Sequence, residues 1–72
     1  MDINRYISDK IQSEMQARGL DIKALAAAGH ATEEELRQLI NGEIADPEVE
    51  LIFRVSTALK MSLKDFFSGY EE

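Results

Sequence analysis

The sequence predicts an all-α protein, a compact five-helix bundle. Apolar residues recur at helical spacing in five separate stretches. Capping residues stand before these stretches, and breakers such as Gly19 and Asn41-Gly42 follow them. No stretch alternates β-branched residues across a hairpin turn, so no strand is expected. With 72 residues the chain makes one domain and leaves no room for a second core.

The first helix is expected over residues 3–17. Ile3, Ile7, Ile11 and Met15 fall four apart and form one stripe for the core. Gly19 stops the helix and Leu20 drops back into the core. Asp21 caps a second helix over 22–28, with Ile22, Leu25, Ala26 and Ala28 along it. Four alanines between positions 24 and 28 have no bulk and permit close approach by another helix. Gly29-His30-Ala31 then breaks the chain direction.

Thr32 and Glu35 have the spacing of a capping box, which starts a third helix over 33–40. Leu36, Leu39 and Ile40 form its buried side. Asp46 is the expected cap of a fourth helix over 47–59, with Pro47 in its first turn and Glu48 suited to the dipole. Val49, Ile52, Phe53, Ser56 and Leu59 make one stripe, widened by Leu51, Val55 and Ala58. A stripe this wide implies a central helix packed from two sides. Ser62 caps a last helix over 63–70, where Leu63, Phe66, Phe67 and Tyr70 recur at helical spacing.

Composition excludes several classes of chemistry. There is no cysteine, which removes disulfides, thiolate zinc sites and cysteine nucleophiles. His30 is the one histidine, with no serine or cysteine beside it, and reads as a turn residue. Asp46, Glu48 and Glu50 lack the glycine and terminal glutamate of a calcium loop. The expectation is a protein that is not an enzyme, with no metal and no cofactor. The longest apolar run, residues 24–28, is far too short to span a membrane, and the N-terminus does not read as a signal peptide. A soluble cytoplasmic protein with no membrane partner is expected.

The net charge of −6 is unevenly distributed. Residues 33–50 hold seven acids (Glu33, Glu34, Glu35, Glu43, Asp46, Glu48, Glu50) and one base, Arg37. Elsewhere seven acids meet seven bases, so this segment carries the whole excess.

The stretch from Ile11 to Phe67 resembles the Cro/repressor-type helix-turn-helix domains of phage and bacterial regulators, the lambda repressor-like family. The resemblance is carried by Arg18-Gly19-Leu20, Leu25-Ala26, Ala31-Thr32, Leu36, Asn41-Gly42, Pro47, Ile52, Ala58-Leu59 and the ending from Met61 to Phe66. It covers about four fifths of the chain, and its specificity lies in the order and spacing of the set. It implies a lambda repressor-like fold in which the second and third helices form the reader and the third enters the major groove of double-stranded DNA. Carried over, the groove-facing positions are Thr32, Glu33, Glu34, Arg37, Gln38 and Asn41. Helical spacing independently places 34, 37, 38 and 41 opposite Leu36 and Leu39. Lys10, Arg18 and Lys23 are candidates for phosphate contact. The resemblance also implies a homodimer through the last helix, with Phe67 and Tyr70 as interface residues.

This chain departs from the family at the reader itself. Ile22 and Glu33 stand where glutamine is usual, and His30 where glycine or asparagine makes the turn. Ile40 replaces a frequent glutamate, and the loop from Gly42 to Pro47 is acidic and about one residue longer. These departures leave the expected fold intact and open a second functional reading. In the first, the chain is a sequence-specific DNA-binding transcriptional regulator. In the second, it is a protein-interaction module whose acidic third helix and following loop engage a basic protein partner.

Overall fold

The structure, a computed structural model, describes residues 2–44 and 47–70. Five helices follow in order: α1 (Ile3–Arg18), α2 (Ile22–Gly29), α3 (Glu33–Ile40), α4 (Val49–Ala58) and α5 (Leu63–Phe66). No residue among those described is in a strand. α2 packs on both α3 and α4, α1 packs on α3, and α5 packs on α4. Ile7, Ile11, Leu25, Leu36, Val55, Leu59 and Phe66 form the centre and are almost wholly out of water. Burying an aliphatic or aromatic side chain of this size stabilises by about 1.5–3 kcal/mol.

Three helices start as their sequences predict. Asp21 Oδ1 accepts the Ala24 N–H at 2.8 Å, Thr32 Oγ1 the Glu35 N–H at 3.0 Å, and Ser62 Oγ the Asp65 N–H at 3.1 Å. Asp2 supplies a longer cap to α1, 3.4 Å from the Asn4 N–H. α4 starts differently, at Val49 rather than at position 47. Glu48 is its N-cap, extended at φ −68° and ψ 140°, and it makes no side-chain cap bond. Pro47 therefore lies outside the first turn, where it lines an apolar groove with Ile7 and Ile52. The expected cap, Asp46, lies outside the described residues.

The first four helices end on one shared device. Gly19, His30, Gly42 and Lys60 each adopt the left-handed conformation, at φ 65°, 55°, 71° and 64°. The following N–H then reaches back five residues. Leu20 bonds the Met15 carbonyl, Ala31 that of Ala26, Glu43 that of Gln38, and Met61 that of Ser56, all at 2.8–2.9 Å. This closes the last turn and satisfies carbonyls that would otherwise lack a partner. Leu20, Ala31 and Met61 also pack against the core, which anchors each chain reversal.

Several apolar residues lie elsewhere than their stripes predict. Val49 is 69% exposed, Phe53 51% and Ile3 44%. α4 turns Leu51, Ile52, Val55 and Ser56 inward, and a helix with that face buried presents Val49 and Phe53 to water. Tyr6 and Ser8 are buried instead. α2 approaches α4 closely at Gly29, and of the four alanines Ala26 is buried in the core while Ala24, Ala27 and Ala28 are exposed. A Cβ on Gly29 would stand 3.4 Å from the Arg54 carbonyl oxygen, and α2 runs on through this residue.

α5 is one turn long rather than the eight residues expected. Ser68 Oγ donates to the Asp65 carbonyl at 2.8 Å, and Gly69 is a poor helix former. Tight turns after Phe66 instead bring Tyr70 onto Tyr6, with ring centroids 5.3 Å apart. Among the described residues no helix is long and apolar enough to cross a membrane.

Candidate nucleic-acid interface

α2 and α3 meet at a tight corner, residues 30–32. His30 supplies the positive φ that the corner needs, which histidine tolerates better than most side chains. Its carbonyl accepts from Arg54 Nη1 at 2.7 Å, so α4 holds the corner from behind. On the far side of the corner, Thr32 and Glu35 form the reciprocal capping box. Glu35 Oε1 accepts the Thr32 N–H at 2.9 Å, so this carboxylate is turned back onto the helix start.

The other end of α3 is held by α1. Ser8 Oγ donates to the Ile40 carbonyl, and Gln12 Nε2 donates to Ser8 Oγ at 3.1 Å. α3 is thus fixed at both termini by side chains of other elements. Ser8, Gln12 and Arg54 were not singled out from the sequence. The one available signal was the i, i+4 spacing of Ser8 and Gln12 beside the Ile7–Ile11 stripe.

The outer face of α3 carries Glu33, Glu34, Arg37 and Asn41, all exposed, with Gln38 half-buried. Arg37 Nη1 lies 2.6 Å from Glu34 Oε1, with the two side chains 51% and 63% exposed. Asn41 Nδ2 donates to Glu43 Oε2 at 3.3 Å. Two of the hydrogen-bond donors of this face, Arg37 and Asn41, are therefore committed to neighbouring carboxylates. Such exposed pairs are worth only about 0.2–0.5 kcal/mol and exchange readily for a better partner. Thr32 is exposed too, but its hydroxyl serves the cap.

The candidate phosphate contacts differ among themselves. Lys23, in the first turn of α2, is exposed and has no ion pair among the described residues. Lys10 and Arg18 converge on Glu14, the lysine at 3.1 Å. Hydrogen bonds from Arg18, and then from Lys10, hold the Glu14 carboxyl below the usual glutamate range. One acid thus neutralises half of that pair's positive charge.

Phe67 and Tyr70 are half-buried against α1. Tyr6 stacks on Phe67 with centroids 6.0 Å apart, and its hydroxyl donates to the Phe66 carbonyl at 2.6 Å. Phe67 also lines the apolar groove, about 310 Å³, together with Ile3, Val49 and Leu63. Among the described residues no three histidine or acidic side chains are grouped to hold a metal ion.

Neither a family model nor a curated protein matches the chain. Among solved structures, the fold matches the crystal structure of an HTH_3 family transcriptional regulator from Vibrio cholerae with a TM-score of 0.82. The two are 23% identical over 90% of this chain and 36% of that one. The chain therefore has the all-helical, helix-turn-helix fold of that regulator's matching part, and it spans about a third of that protein's length.

Proposed function

We propose that the chain is a small sequence-specific DNA-binding transcriptional regulator that reads duplex DNA as a dimer, with α3 in the major groove. One observation carries this reading: an uncovered outer face on a helix that Arg54, Ser8 and Gln12 hold through its corner and its last turn. A rigid, exposed helix after a tight corner is what base readout requires. Arg37 would read guanine, Gln38 and Asn41 adenine, and Glu33 or Glu34 the amino group of cytosine. Thr32 and Lys23 would meet the backbone at the helix starts. Phe67 and Tyr70 remain candidates for the dimer contact.

The charge of the face sets the expected behaviour. Like charges 4 Å apart repel by about 1 kcal/mol in water, so the glutamates offset part of each phosphate contact. Non-specific affinity should be low and the salt dependence shallow. Selection from a random duplex pool at low salt tests the reading. An enriched palindrome whose binding is lost with Arg37→Ala supports it, and unchanged binding of that variant shows the reader to be misplaced.

A second reading is favoured by the acidic outer face itself, where Arg37, the one base, is already paired. In it, α3 and the loop after it engage a basic protein partner. Absence of any enriched duplex, together with stoichiometric capture of one basic protein that Glu33→Gln and Glu34→Gln release, would favour this reading.

A further inference from the structure

We propose that the outer face of α4 docks a second copy of this chain, with the two α4 helices antiparallel about a two-fold axis. Val49 and Phe53 stand one turn apart on this helix, and both are largely exposed. Scattered apolar residues need no explanation, but here two large ones share a face that continues into recesses on either side. At one end Val49 opens onto the groove lined by Ile3, Ile7, Ile52, Leu63 and Phe67. At the other, Phe53 borders a cleft of about 180 Å³ with Ala28, Gly29, His30, Arg54 and Thr57.

Two features point to a copy of the chain itself as the occupant. The first is shape. A half-exposed aromatic ring and the hollow it borders lie side by side on one face, so a two-fold axis puts each ring against the other's hollow. The second is charge. α4 begins with Glu48 and Glu50 and is followed by Lys60 in the reversal just past its end. Antiparallel packing sets the acidic start of each helix beside the basic end of the other and also opposes their dipoles. Parallel packing would face the glutamates with one another. Glu48 and Lys60 have no ion pair among the described residues and are free to make these contacts.

The contact between copies needs no DNA, and its test is run without any. Sedimentation equilibrium across a concentration series should show a monomer–dimer system. Phe53→Asp should raise the dissociation constant about thirtyfold or more while leaving the helical circular dichroism unchanged, because the ring is half outside the core. Lys60→Glu should weaken association several-fold, and adding Glu48→Lys and Glu50→Lys to it should recover most of the loss. Arg37→Ala should leave the constant unchanged, which separates this face from the α3 reading. A chain that stays monomeric up to about 1 mM overturns the proposal and leaves the face to a different protein. A dimer that ignores Phe53→Asp but is broken by Tyr70→Ala overturns it equally, in favour of the last helix.

Discussion

The guanidinium of Arg54 donates to the main-chain oxygen of His30 at 2.7 Å, across 24 residues of sequence. This bond ties the middle of α4 to the residue on which the direction of α3 depends. Its geometry is one-sided: Arg54 Nε is buried without a hydrogen-bond partner, and Glu50 Oε1, at 3.9 Å, is too far to serve. Arg54→Met should cost about 1.5–3 kcal/mol, the usual worth of a hydrogen bond to a charged group. Part of that loss is recovered because the unpaired Nε is removed as well. Urea unfolding measures it, and an unchanged midpoint would show that the corner stands without α4.

Lys60 adopts φ 64°, a conformation that costs a residue with a Cβ about 1 kcal/mol and glycine almost nothing. Lys60→Gly should therefore stabilise the fold by up to about 1 kcal/mol, a rise of about 4–8 °C in a chain of this size. Greater freedom of glycine in the unfolded chain works against the gain. Thermal unfolding of this single variant decides which effect is larger, and a fall in midpoint would refute the strain argument.

Glu14 carries a pH signature. Arg18 and Lys10 lower its folded pKa, so the folded state binds its proton less readily than the unfolded chain does. The stabilisation is present above the unfolded pKa and is lost as pH falls through the folded one. Glu14→Gln should accordingly be less stable than the parent at neutral pH. The difference should shrink through the acid range and vanish once Glu14 itself is protonated. Parallel denaturation of the two proteins between neutral and strongly acidic pH tests this, and a gap that persists in acid would assign the effect to packing.

Glu34 pairs with Arg37, and its carboxylate would repel any phosphate brought beside it. If α3 reads DNA, Glu34→Gln should raise affinity about fivefold at low salt, since one removed repulsion is worth about 1 kcal/mol. The accompanying loss of fold stability should be only a few tenths of a kcal/mol. A duplex titration at two salt concentrations checks both sign and size, and weaker binding would mean that Glu34 itself contacts a base.

The elements were legible because their ends are written locally. Asp21, Thr32 and Ser62 cap through atoms three residues away, and Gly19 and Gly42 permit reversals that other residues resist. α4 resisted the same reading because it is apolar on nearly every side. The stripe 49, 52, 53, 56, 59 and the residues 51, 55 and 58 that widen it all suit a helix, and only contact with α2 and α5 decides that Leu51, Ile52, Val55, Ser56 and Leu59 go inside while Val49 and Phe53 face water. Periodicity cannot tell which edge of so wide a stripe stays outside.

The candidate interface divides along the same line. Exposure of Glu34, Arg37 and Asn41 follows from their spacing relative to Leu36 and Leu39. What holds α3 in place does not, because Ser8 and Arg54 reach it from positions 32 and 24 residues distant. Lys60 in a left-handed turn carried no signal either, since its conformation is set by Met61 seeking the core.

The bond from the Tyr6 hydroxyl to the Phe66 carbonyl joins residues 60 apart, nearly the whole length of the chain. Closing so long a loop is entropically costly, so this clasp depends on the intervening helices to shorten the distance. It ties the first turn of α1 to the last turn of α5, and loosening one should loosen the other. Amide protons near Tyr6 and near Phe66 should then exchange as one group, though they stand 60 residues apart.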